Sequence, residues 1–343
     1  MMISRQRTPD FLKGLAVLLM IQVHLMELFA QQEIYDGLMG KISLFLGGPP
    51  AAPVFMAVMG YFLAFSKKGL ISSVIRGFKL IIWGFTLNIG LNLNLFYHIY
   101  SGTFQMSPLE YLFGVDILFL AGLSVIFIAL IKHFFKEKVW PYISVLIIVI
   151  IIPEFFKPIV STGATKYLLA YFYSDVWWSY FPVIPWVSYV LVGYIFKLLQ
   201  SKLDISSRKK IFSLLIVSFV YVILIIYSGL DVSANLHEYY HHGAFYFFFT
   251  FVLMVFWLIS SKQITQSFDN GLTKYIEWLG NNVTATYVFQ WLIIGNISTI
   301  IYKTQNWWQL IFWFIGILGI VTILVFTWKR IKNRQKNSQV FLK

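Results

Sequence analysis

Asp10, Lys13, Val17, Met20, His24, Glu27 and Gln31 recur at spacings of three and four near the start of the chain. That is the period of one helical face, so an acid, a base, an imidazole and a second acid share a single stripe. Lys13 and His24 are eleven residues apart, which is three turns and ~16 Å along a helix axis. An imidazole takes a proton from a hydroxyl or an amine near neutral pH, or carries an acyl group as an acyl-imidazole. A carboxylate one turn away, as Glu27 is, can orient or charge-stabilise that ring in the manner of a triad. The stripe therefore suits group transfer with His24 as base or nucleophile. A second reading stands beside it, in which these residues are interhelical hydrogen-bonding groups and a snorkelling lysine.

The element that carries the stripe must lie in a membrane. Of the 343 residues 59% are hydrophobic and only 12% are charged, with a mean hydropathy of +0.74. A soluble domain carries about 25% charged residues, so a chain this apolar has too little polar surface to face water. There are no cysteines, which excludes disulfides and thiol chemistry.

A ~30 Å hydrocarbon core needs ~20 apolar helical residues. Windows of that kind fall at 11–30, 47–66, 75–93, 112–131, 139–158, 177–199, 211–227, 243–260, 275–297 and 307–328. The expected fold is all-α, a polytopic bundle of about ten transmembrane helices forming one domain over 1–343. The segment 162–173 is too short to cross and reads as interfacial or re-entrant. The first apolar run is full length and lacks a small-residue cleavage site, so no cleavable signal is expected.

With the N-terminus inside, 23 of the 27 lysines and arginines fall in cytoplasmic segments, as the positive-inside rule requires. Arg5, Arg7 and Lys13 begin this set, and the tail 329–343 ends it. Only Lys41, Lys157, Lys166 and Lys303 fall outside. The alternation explains the net charge of +13 without a nucleic-acid partner. It also places both termini in the cytoplasm.

Ionisable and amide groups within spans are costly and point to function by default. His24 is the only histidine inside an expected span. Asn88 and Asn92 lie late in the third span, and Asp116 near the outer end of the fourth. The run 175–186, with Trp178 and Trp186, enters the sixth span, and His241 and His242 lead into the eighth. These groups are the candidate binding residues at the outer half. Asp116 also reads as a helix-end carboxylate at the headgroups. The stripe Asn282, Thr286 and Gln290 reads first as helix-packing glue. The histidine pair, with His237 nearby, has no carboxylate at a standard metal spacing, so no metal is expected. The run GGPPAAP at 47–53 is expected to open the second span, where proline is tolerated.

Five blocks resemble membrane acyltransferases. DFLKGLAVLLMIQVH resembles their first span, GGPPAAPVFMAVMGYFLAFSKK their second-span signature, and GVDILFLAGLS their fourth-span segment. FPVIPWVSYVLVGYIF and WLGNNVTATYVFQWLI are similar to bacterial relatives of heparan-α-glucosaminide N-acetyltransferase. Other features resemble the bacterial acyltransferase-3, or O-acyltransferase, family. Departures are specific. Tyr35 stands at the distance where the lysosomal enzyme has its active histidine, and His24 where that enzyme has asparagine. Lys13 stands where the O-acyltransferases usually have arginine, and Met59 replaces the serine of their second-span motif.

The resemblance implies transfer of an acetyl or other acyl group from cytoplasmic acetyl-CoA to a glycan or lipid-linked saccharide on the far side, by a multi-pass protein of a bacterial plasma membrane. Basic residues Lys13, Lys67, Lys68 and Arg76 suit the donor's phosphates, although the positive-inside rule alone would also put them there. His24 and Glu27 would act on the acyl group. Asn88, Asn92, Asp116, Trp178, Trp186, His241 and His242 would bind the saccharide. A transporter or flippase needs the same spans and polar path, and a homodimeric assembly stays open.

The charge asymmetry predicts that single cysteines in the loop 202–210 are labelled only from the cytoplasmic side. Labelling of intact cells with an impermeant reagent checks this, and modification from outside would overturn the orientation.

Overall fold

The structure, a computed structural model, describes residues 7–202 and 207–341. Arg5 and part of the 202–210 loop lie outside the described residues. The chain is all-α. Its elements are α1 (Arg7–Leu28), α2 (Gln32–Asp36), α3 (Leu38–Gly47), α4 (Ala52–Ala64), α5 (Leu70–Leu91) and α6 (Leu93–Tyr100). They continue with α7 (Pro108–Leu112), α8 (Ile117–Phe135), α9 (Val139–Phe155), α10 (Thr165–Leu169), α11 (Val183–Leu199) and α12 (Arg208–Ala234). The last are α13 (Leu236–Tyr240), α14 (Ala244–Ser267), α15 (Gly271–Asn281), α16 (Val283–Ile301) and α17 (Trp307–Phe341).

Eight segments among the described residues are long and apolar enough to cross a membrane, and α9 and α11 are shorter apolar helices. Each of these segments overlaps one of the expected spans. α5, α12 and α17 expose rows of Ile, Leu, Val and Phe, the face a helix turns to lipid. The basic clusters follow the connections at one end of the bundle, termed here the basic end. There Arg7 joins the start of α1 to Asp269 and Glu277, both at 2.9 Å.

Three spans depart from expectation. The run 47–53 does not open the second span but interrupts it. Pro49 and Pro50 have no N–H to donate, so the helix stops at Gly47 and restarts at Ala52, with Ala51 N–H bonding Gly48 O at 3.0 Å. The half before the break falls outside the apolar window because it carries Lys41, which pairs with Asp231 of α12 at 3.3 Å. The ninth span is likewise two helices, α15 and α16, meeting at Asn282, whose amide donates to Trp278 O at 2.7 Å. The sixth begins at Val183 rather than 177. Residues 171–182 instead form a cap bonded to the α8 entrance, through Val115 N–H to Trp178 O and Phe181 N–H to Val115 O. α10 is a single short turn within the same connection, in keeping with a segment too short to cross.

α1 lies at the centre, packed on α3, α4, α14, α15, α16 and α17. Its contact with α15 is backbone on backbone. Gly14 sits against the Ile276 carbonyl and Gly280 against the Asp10 carbonyl. The same reciprocal arrangement joins α4 to α11, with Gly60 on Val190 O and Gly193 on Ala57 O, and α5 to α8 through Gly77 and Gly122. Lipid tails are as apolar as leucine, so helices associate by close packing, which small residues permit.

Gly60→Ala and Gly280→Ala should therefore lower the apparent Tm in detergent, because overpacking costs about 1–3 kcal/mol and outweighs the ~1 kcal/mol helix-propensity gain of alanine. Gly316 and Gly319 of α17 have open space where a Cβ would sit, so alanine there should be neutral or stabilising. Melts by intrinsic fluorescence check both arms, and equal effects at all four positions would refute the crossing argument.

Candidate active site

At the end of the bundle opposite the basic clusters lies a cavity of about 950 Å³, near the upper end of the ~300–1,000 Å³ range of ligand sites. α1 contributes Met20, Val23, His24 and Glu27 to its wall. The interrupted second span contributes Gly47, Gly48 and Ala52, so the break opens directly onto the site. Tyr35, Tyr111, Trp177, Tyr180, Tyr287 and Trp291 supply aromatic faces. His24 packs on Trp291 with ring centroids 4.0 Å apart. Its enclosed Nδ1 has no hydrogen-bond partner among the described residues.

Glu27 shares the cavity with His24, but no hydrogen bond joins the two among the described residues. The cation near Glu27 is Lys303 in the α16–α17 connection. That connection is stitched to the end of α1 by Lys303 N–H to Leu28 O at 3.0 Å, Gln305 N–H to Phe29 O at 2.8 Å and Gln31 N–H to Gln305 O at 2.9 Å. Burial lowers the Lys303 pKa, while the Glu27 and Asp36 carboxylates oppose that shift. Its ammonium lies 3.4 Å from the centroid of Tyr35. Sequence reasoning missed this lysine as a site residue. The available signal was that it is one of four cations outside the basic end.

Asp116 lines the same cavity as the N-cap of α8. It accepts from Ile117 N–H and from the Tyr287 hydroxyl of α16. Its buried Oδ2 has no partner among the described residues. Asn88 also reaches the cavity wall, but its amide is spent on Leu112 O at 2.9 Å and Gly114 O at 2.8 Å. It braces the turn that presents Asp116. Asn92 lines the wall and donates back to Asn88 O at 2.9 Å.

Other expected binding residues divide. His241 lines the cavity, with ring nitrogens 3.1 Å from His237 O and 2.9 Å from Ser174 O. Burial lowers its pKa. His237 also reaches the wall and pairs with Asp175 at 2.7 Å, a carboxylate distant in sequence. No group of three His, Asp or Glu side chains suited to a metal occurs among the described residues. Trp178, Trp186 and His242 are not in the wall. Trp178 packs on Val115, Phe119 and Ala170, and its neighbour Trp177 takes the cavity position. Trp186 is fully buried and donates to Tyr240 O at 2.9 Å. His242 is buried, with Nδ1 2.7 Å from Tyr239 O and Nε2 2.8 Å from the Tyr189 hydroxyl. One ring N–H donating to Tyr239 and the other nitrogen accepting from Tyr189 is a neutral imidazole.

At the basic end a smaller cavity of about 260 Å³ lies among the ends of α4, α5 and α8. Lys68 and Arg76 of the expected donor set line it, joined by Lys132 and His133. Lys132 also ties α8 to the end of α4 through Ser66 O at 2.7 Å. Lys67 is exposed outside the lining. Lys13 is paired with Asp10 at 2.8 Å and lies over the Phe62 ring at 5.4 Å. The structure thus brings together two of the four basic candidates.

Residues 7–328 match the model of a family described as an acyltransferase domain. No curated protein and no solved structure matches the chain.

The burial of His242 has a measurable consequence. Burial, opposed by the Tyr239 carbonyl and aided by His241, holds its pKa at about 4 against an ordinary 6.5. The unfolded chain takes up a proton there that the folded chain refuses. Its contribution is complete above the unfolded pKa and declines as pH falls through the window between the two values, by on the order of 3 kcal/mol. Melts at pH 7.5 and 4.5 should show a larger acid loss in the wild type than in His242→Gln. Equal acid losses would mean that this ring does not set the dependence.

Proposed function

The chain belongs to the acyltransferase-3 family, and from that premise we propose that it moves an acetyl group from cytoplasmic acetyl-CoA to a saccharide hydroxyl or amine at the outer face of the membrane. It is a membrane acyltransferase. The donor's phosphates bind at the basic end, where Lys68, Arg76, Lys132 and His133 line one cavity. Its thioester reaches the level of His24. The acceptor occupies the opposite cavity, and the basic end faces the cytoplasm.

The observation that carries this reading is the shared wall of the large cavity, which brings together His24, Glu27 and Asp116 with a set of aromatic faces. A ring nitrogen of His24 takes the proton from the acceptor O–H or N–H as that atom attacks the thioester carbonyl. The C–S bond breaks, and the leaving thiolate recovers the proton from the imidazolium. Ester or amide and free CoA are the products, so atoms and charge balance. Glu27 supports the imidazolium through space rather than through a direct bond. The alternative acyl-imidazole route uses the same residue in two steps.

A transporter or flippase is the second reading, favoured by one observation. The spans flanking α1, α3/α4 and α15/α16, are both interrupted, a feature common in carriers. A carrier moves its substrate chemically unchanged, which separates the two.

His24→Ala should lower acetyl transfer by ~10²–10⁴, the usual cost of losing a general base, while the protein still inserts and binds acetyl-CoA. Glu27→Gln should cost less. Transfer of labelled acetyl to membrane glycans by purified, folded protein is the measurement. A wild-type rate in His24→Ala would remove His24 from the chemistry.

A further inference from the structure

The wall of the large cavity contains polar groups whose bonding capacity is used and groups whose capacity is left over. Asn88, Asn92 and His241 are committed to backbone carbonyls. Glu110 accepts from Trp177 Nε1 at 3.0 Å and from Lys166 at 3.4 Å. Asp116 is different. Its Oδ1 is filled by Ile117 N–H and Tyr287, and its Oδ2 is enclosed with no donor among the described residues. Glu27 receives no hydrogen bond from the described residues either. An ionised carboxylate can only accept, and an enclosed acceptor without a donor is costly. The leftover capacity is therefore for a ligand that donates.

The carboxylates of the wall, Glu27, Glu110 and Asp116, outnumber its one ammonium, Lys303, among the described residues. Lys303 lies over the Tyr35 ring with Glu27 and Asp36 about it. His237 is paired with Asp175, and the ring nitrogens of His241 are turned to the backbone carbonyls of His237 and Ser174. The cavity thus presents acceptors and aromatic faces, with three carboxylates against one ammonium among the described residues.

We infer that the acceptor is a saccharide unit bearing no negative charge, a neutral or amino sugar whose hydroxyl or ammonium donates to Asp116 Oδ2, and that acidic sugars are rejected. The inference rests on the reading of this cavity as the acceptor site. An anionic sugar would meet Asp116 and Glu27 in a low-dielectric pocket whose one lysine, Lys303, is already flanked by Glu27 and Asp36. Sugar rings stack instead on Trp177 and Trp291, and their hydroxyls donate to the carboxylates.

The test is binding of three trisaccharides of matched size to the purified full chain in detergent, read by tryptophan fluorescence: neutral chitotriose, its deacetylated glucosamine trimer, and trigalacturonate. At least one of the first two should saturate, with trigalacturonate at least ~10-fold weaker, the direction set by like-charge repulsion. Asp116→Asn keeps an acceptor oxygen for the helix cap but loses the charge, and should narrow that gap. Glu27→Gln provides the same test if the Asp116 variant does not fold. Trigalacturonate binding as tightly as the others would overturn the inference, as would binding of none of the three by protein that still binds acetyl-CoA. Loss of acetyl-CoA binding by the wild type would instead strike the acyltransferase mechanism.

Discussion

The backbone contact of α1 with α15 is the constraint on which the rest of the molecule depends. In lipid there is little gain from burying one apolar side chain against another, so helix position is set by how closely backbones can approach. Gly14 on the Ile276 carbonyl and Gly280 on the Asp10 carbonyl fix the base of α1 in rotation and height. α16 follows α15 directly and carries Trp291 to the His24 ring. Tyr287, one turn earlier, reaches Asp116 at the head of α8. A crossing at one end of the bundle thereby aligns groups from three spans at the other.

Helix breaks supply the space that this alignment would otherwise close. A continuous second span would run its side chains past Val23 and fill the cavity floor. Instead two prolines stop the hydrogen-bond ladder, leaving Gly47, Gly48 and Ala52 as a floor of small residues. The opposite wall is made rigid by spent polar groups. Asn88 holds the turn before Asp116, the Trp186 bond holds the end of α13 to α11, and the His241 bond holds the residue after it to the cap at Ser174. Buried amides that complete their bonds stabilise the frame, while the Asp116 oxygen that does not complete them is available for chemistry or recognition.

Much of this frame is legible in the sequence because its signals are local. Apolar windows mark the spans, and a three-four spacing puts His24 and Glu27 on one face of α1. Charge alternation marks the basic end and groups Lys68 with Arg76. What escapes is set by partners far along the chain. Trp177 and Trp178 are identical to any composition rule, and only the backbone pairing at Val115 decides which one faces the cavity. His242 looks like a ligand beside His241, yet Tyr189 and Tyr239 absorb both its nitrogens. Lys303 needs the stitching of its loop to α1 before it can be placed near Glu27. The double proline is plain in the sequence, but the apolar window that begins at Gly47 does not show that a helix, α3, runs up to it from Leu38.

Unlike its two neighbours, α1 runs from Arg7 to Leu28 without a break. The interval along its axis between Lys13, near the basic end, and His24, in the wall of the large cavity, is then a fixed ruler of ~16 Å, and a pivot of the bundle does not shorten it. If the proposed donor is held by its phosphates at the basic end, its acyl carbon must ride on an arm that spans such an interval, and the unbroken helix sets the length of that arm without touching the acyl group.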